Sequence, residues 1–234
     1  MREKVLNYKF IALMLLLGAI GCICFGVGDY FLVYGNTEAT ADLYFMTVCT
    51  STMPELANNN ALLLMIPGFL FVLAALLTLS TTIKDSSDVH IYHFLMGVGL
   101  TAYTLSQFIY SMILYLYSYL NTNAIIQEVE DLIVNIYGHY ETVLMICLIA
   151  LAIPLIFWFY LVITDRTKLP QILALVNPVI IYGILSGVKY FIPVSPLKLG
   201  FTKAMVPEAF LIFFILLALW SALKNKKDNS WYHY

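Results

Sequence analysis

The chain has 234 residues, of which 62% are hydrophobic and 11% charged, where a soluble domain carries roughly 45–50% and about 25%. With 12 Lys+Arg and 14 Asp+Glu there is too little charge to cover a water-facing surface, so an ordinary soluble protein is excluded and lipid is the expected solvent. A net charge of −2 without a basic stripe excludes a nucleic-acid surface.

About 20 apolar residues cross the hydrocarbon core of a bilayer. Six stretches qualify, at about 10–33, 61–83, 93–119, 141–163, 170–191 and 203–223. The expected fold is therefore all-α, one domain over 1–234, with a bundle of six transmembrane helices. The basic N-terminus followed by an apolar run imitates a secretory signal, but the run continues to Val33 and is longer than a signal core, so a retained first span is expected. Within that span Asp29 follows Gly26 and Gly28, whose missing side chains let a helix or a ligand approach closely. Cys22 and Cys24 point about 200° apart on a helix and cannot share a metal.

The segment near 35–60 carries Glu38, Asp42 and Glu55 and is expected to hold a short helix before Pro54. Pro67-Gly68 then interrupts the second span, as Asn177-Pro178 interrupts the fifth. Paired breaks of that kind point to two inverted three-span halves. In the third span Thr104, Gln107, Ser111 and Ser118 share one helix face, suited either to hydrogen bonds between helices or to the wall of a polar cavity. Tyr110, Tyr115, Tyr117 and Tyr119 read as an aromatic belt at its end. Between spans three and four, Ile125, Ile126, Val129, Leu132, Ile133 and Ile136 recur with helical period among acidic residues. This spacing predicts an extra amphipathic helix on the outer side, stopped by Gly138.

Orientation follows from the basic residues. Arg2, Lys4, Lys9, Lys84, Arg166, Lys168, Lys224, Lys226 and Lys227 all fall on one side of the six spans, and the positive-inside rule makes that side, with both termini, cytoplasmic. Ionisable residues within spans are costly and mark functional sites. Here they gather toward the opposite, outer face: Asp29, His139, Glu141, Lys189, Lys203 and Glu208.

The pieces Gly28-Asp29, Gly138-His139, Pro154, Thr164 to Pro170, Asn177-Pro178 and Pro207 to Phe214 resemble a family of uncharacterised bacterial multi-pass membrane proteins catalogued as a domain of unknown function. The resemblance implies a bacterial cell-membrane location and supplies no activity.

Three functions fit the residues. The first is binding or translocation of a small amphiphile or lipid through an outward-facing polar cavity lined by Asp29, Gln107, His139, Glu141, Lys189 and Glu208. The second is an intramembrane acid/base enzyme acting on a lipid, with His139 or Glu208 carrying the proton. His139 and Glu141 are two apart and diverge on one helix, which weakens that case. The third is a structural or partner-binding subunit. No nucleophile elbow, metalloprotease or P-loop pattern occurs, and no metal or other cofactor is expected. Membrane lipid is the expected partner.

Overall fold

The computed structural model describes residues 7–33, 55–122, 126–193 and 195–230, and these are helical apart from short connections. In chain order the helices are α1 (Tyr8–Val33), α2 (Glu55–Leu79), α3 (Ser86–Thr122), α4 (Ile126–Ile163), α5 (Pro178–Val188) and α6 (Pro196–Ser230). Short 3-10 turns cover Ser80–Thr82, Gln171–Val176 and Lys189–Phe191. Four stretches are long and apolar enough to cross a membrane by length and composition: Tyr8–Tyr30, Asn60–Thr82, Asn135–Ile163 and Gly200–Lys224. Their lipid-suited faces remain open in the bundle, with Leu13, Leu63, Leu70 and Ile149 at least half exposed. Such a surface is compatible with a membrane protein.

Two of the six expected spans differ from a regular apolar helix. α3 is long, at 37 residues, but Thr104, Ser106, Gln107 and Ser111 dilute its apolar character. The stretch at 170–191 is broken, because Pro170 and Pro178 bracket a 3-10 turn and only 11 residues continue as α5. Asn177 manages the break. Its Oδ1 accepts from the Val179 N–H at 2.9 Å, capping α5, while its Nδ2 donates to the Leu155 carbonyl on α4 at 2.8 Å.

The expected separate amphipathic helix is instead the first part of α4, which runs unbroken for 38 residues through Gly138. A glycine ends a helix by turning left-handed, and among the described residues no glycine takes a positive φ. In mid-helix it costs only about 1 kcal/mol. Pro67 likewise leaves α2 continuous, so the matching breaks of two inverted halves are not present. The helix expected before Pro54 lies outside the described residues.

α1 packs chiefly between α2 and α6, and α3 against α4. Glycines set the closest approaches. A Cβ on Gly21 would stand 2.8 Å from the Gly68 carbonyl oxygen, and one on Gly68 2.9 Å from that of Gly21, so α1 and α2 touch backbone to backbone. Gly99 of α3 rests on the notch made by Pro154 in α4, where a Cβ would lie 2.6 Å from the Ala150 carbonyl oxygen. Proline cannot donate to that carbonyl from position 154, and glycine lets the neighbouring helix close over it. Aromatic packing fills the rest, with Trp158 edge-on to Phe213 at 5.2 Å.

At the end of the bundle holding Lys84, two connections are clasped. Lys84 N–H donates to the Arg166 carbonyl and Lys168 N–H to the Thr82 carbonyl, at 2.9 and 2.8 Å. Arg166 also holds the buried Asp88 at 3.1 Å. Asp165, the one non-glycine residue with positive φ among those described, makes the turn. This clasp fixes one end of the bundle; the cavities described below open at and below the other.

Candidate functional site

One face of α4 carries the site. Tyr137, Tyr140, Glu141, Leu144 and Leu148 follow at intervals of three and four and so form a stripe. Opposite them on α3, Tyr103, Gln107 and Tyr110 repeat the same spacing. α6 contributes Lys203 and Val206, and α5 Tyr182. Together they line a half-open cavity of about 190 Å³. The rings of Tyr110 and Tyr140 lie 5.4 Å apart and those of Tyr137 and Tyr140 6.0 Å apart. Lys203 places its ammonium 3.6 Å from the centre of the Tyr110 ring.

The α4 stripe continues past Leu148 into Leu151, Ala152 and Leu155, and its chemistry changes with depth. These residues, with Val179 on α5 and Phe210 on α6, line a second cavity of about 280 Å³ that is almost wholly apolar. Leu148, Tyr182 and Val206 belong to both cavities. A polar, tyrosine-rich chamber thus shares a wall with an apolar one.

Several polar atoms of this region are buried without a hydrogen bond. They include Gln107 Oε1 and the Tyr140 hydroxyl, both lining the polar chamber, with Thr104 Oγ1 and Ser111 Oγ on the same α3 face. Asp29 is fully buried behind the chamber, and neither carboxylate oxygen has a partner. It is within electrostatic range of Lys203 and Glu208 on α6, and of the chamber residues Tyr103 and Tyr140. Buried polar groups are ordinarily satisfied, and each exception asks for a cause.

The candidate residues divide accordingly. Gln107 and Glu141 meet in the polar chamber, and Asp29 sits behind it. Glu208 is half-buried and accepts a long hydrogen bond, 3.4 Å, from the Tyr30 hydroxyl, whose ring lies against Gly200 in the place a Cβ would need. His139 is exposed and lines no part of the chamber, as its two-residue offset from Glu141 requires. Lys189 stands 5.4 Å from the ring of its own neighbour Tyr190, away from the cluster. Gly28 serves helix packing, since a Cβ there would meet the Ala61 carbonyl oxygen at 3.2 Å. The tyrosine chamber was missed in the sequence because Tyr110 reads as part of an interfacial belt. The α4 signal was the stripe of Tyr137, Tyr140 and Glu141, hidden by treating 125–136 as a separate helix. Among the described residues no group of His, Cys, Asp and Glu is arranged to hold a metal ion.

A family model matches residues 1–224. The chain belongs to the family of unknown function DUF6796. No curated protein and no solved structure matches this DUF6796 chain. Its chemistry has therefore to be read from the site itself.

Proposed function

We propose that this DUF6796 protein is a multi-pass protein of the cell membrane that binds, and in doing so translocates or presents, a small amphiphile or lipid. The observation that carries the proposal is the shared wall of Leu148, Tyr182 and Val206, which sets a polar chamber beside an apolar one. A molecule with a polar head and a hydrocarbon tail is complementary to that pair, because each part meets its own kind of surface. The packing-only alternative is disfavoured by the unpartnered Gln107 Oε1 and Tyr140 hydroxyl, since polar groups kept for helix association are expected to bond one another. The exposure of His139 removes one of the two proton carriers that acid/base catalysis would use, leaving Glu208.

In this reading α3 and the broken stretch 170–191 complete six passes. The cluster of basic residues around Lys84, Arg166 and Lys168 makes the clasped end and both termini cytoplasmic, so that the polar chamber opens toward the outer leaflet.

The test is native mass spectrometry of the protein released from lipid nanodiscs. A bound amphiphile is expected on the wild type and should be lost in Ala152→Trp, which fills the apolar chamber, with helicity unchanged. Equal retention by both proteins contradicts the proposal.

A further inference from the structure

One acceptor in the chamber wall lacks a donor. Gln107 Oε1 is an acceptor only and is buried without a bond, in a residue 3% exposed that lines the chamber. Both oxygens of Asp29 are in the same condition behind it. Glu141 stands in the chamber wall and Glu208 on the neighbouring turn of α6. Lys203 lines the chamber with Glu141 and acts electrostatically on Asp29. The groups facing Asp29 from the packed helices are Lys203 and Glu208 from α6, Tyr103 from α3 and Tyr140 from α4. A buried carboxylate needs a compensating charge or hydrogen-bond donor; Glu208 accepts from the Tyr30 hydroxyl and Glu141 is exposed, whereas neither oxygen of the buried Asp29 has a hydrogen bond.

The walls point the same way. Tyr103, Tyr110, Tyr137, Tyr140 and Tyr182 line the chamber, and an aromatic face attracts cations. Tyr110 already holds one at 3.6 Å. An anionic phosphate head would meet Lys203 but would also be set against Glu141 and the field of Asp29. Resting on the amphiphile reading, we infer that the ligand is an amphiphilic amine: its ammonium donates to Gln107 Oε1 and lies against the tyrosine rings and Glu141, and its alkyl tail occupies the apolar chamber. Two sources supply that chemistry, the amino head of a membrane lipid and a soluble alkylamine.

Three probes of equal tail length separate the head groups: dodecylamine, dodecyl phosphate and dodecyl maltoside. Each is titrated into the full chain in phosphatidylcholine nanodiscs at pH 7, with empty discs subtracted, and bound probe is counted by native mass spectrometry. Dodecylamine is expected to bind at least about tenfold more tightly than dodecyl phosphate. Glu141→Gln, on an exposed position that leaves folding intact, and Asp29→Asn should each weaken the amine by about threefold or more and leave the maltoside unchanged. Addition of phosphatidylethanolamine to the discs distinguishes the sources: competition with dodecylamine assigns the site to an aminolipid, and no competition to a soluble amine. Phosphate binding equal to or tighter than amine binding overturns the inference, as does an amine affinity untouched by Glu141→Gln. Should the maltoside bind as well as the amine, the head-group assignment fails while amphiphile binding stands. Should none of the three bind, both fail.

Discussion

Lys203 holds its ammonium 3.6 Å from the centre of the Tyr110 ring, joining α6 to α3 across the polar chamber. A cation over an aromatic face contributes about 0.5–2 kcal/mol, more where water is excluded. Tyr110 is 2% exposed, so its ring is shielded. Tyr110→Phe keeps the face and is expected to hold thermal stability within about 0.5 kcal/mol of wild type. Tyr110→Leu loses the face and should cost about 1–3 kcal/mol. Thermal unfolding in detergent followed by circular dichroism separates the two variants. Equal losses would show that the hydroxyl, rather than the ring, matters.

Asn177 bonds in two directions, to Val179 N–H and to the Leu155 carbonyl. Asn177→Ala removes both and should destabilise by about 1–3 kcal/mol. Asn177→Ser keeps a cap but cannot reach α4, and an intermediate loss is expected. The same thermal assay reads the series; a serine variant as weak as the alanine one would mean that the cap contributes nothing.

Gly99 and Gly97 are a built-in comparison. An added methyl at Gly99 would lie 2.6 Å from the Ala150 carbonyl oxygen, whereas at Gly97 nothing lies within 4 Å. Gly99→Ala must force α3 off α4 and should cost about 1–3 kcal/mol. Gly97→Ala should be neutral or stabilising by up to about 1 kcal/mol, through helix propensity alone. Unfolding midpoints of the two variants in one detergent check the order, and a destabilised Gly97→Ala would contradict it.

Hydropathy made four helices legible, because α1, α2, α4 and α6 are apolar along unbroken windows long enough to cross a bilayer. The break at Asn177-Pro178 was also legible, since a proline after a capping residue starts a helix anew. The fusion of 126–136 with the fourth span was not: Gly138 looks like a stop, and whether a glycine turns left-handed is decided by what packs around it. Depth along the spans singled out Asp29 and Glu141, and the shared helix face of the third span singled out Gln107. Depth did not separate them from Lys189 and His139. Those differ from Glu141 in azimuth, and azimuth depends on which helix faces which. The tyrosines escaped for a related reason. A tyrosine is at home in an interfacial belt and in a chamber alike, and only the 5.4 Å approach of the Tyr110 and Tyr140 rings distinguishes the two.

At the clasped end, Asp85 caps α3 by accepting from the Ser87 N–H at 2.9 Å. That bond, with help from Arg166, holds its carboxyl below the ordinary aspartate range. A carboxyl lowered in the folded state contributes stability above its ordinary value of about 3.9, and that contribution is lost as pH falls through the lowered value. Acid titration of the unfolding midpoint should therefore show a decline below about pH 4 that is reduced in Asp85→Asn, which keeps the acceptor without the charge. An identical acid profile in the two proteins would remove Asp85 from the explanation.

Occupancy of the adjoining chambers is tested most directly by photocrosslinking in nanodiscs with a dodecylamine carrying a diazirine in its tail, followed by peptide mapping of the labelled residues. Labelling is expected to concentrate on Leu148, Tyr182, Val206 and the apolar chamber beyond them, and to be competed by unlabelled dodecylamine. Labelling spread over the open lipid-facing residues such as Leu13, Leu63 and Leu70, with none competed in the chamber, would contradict amphiphile binding there.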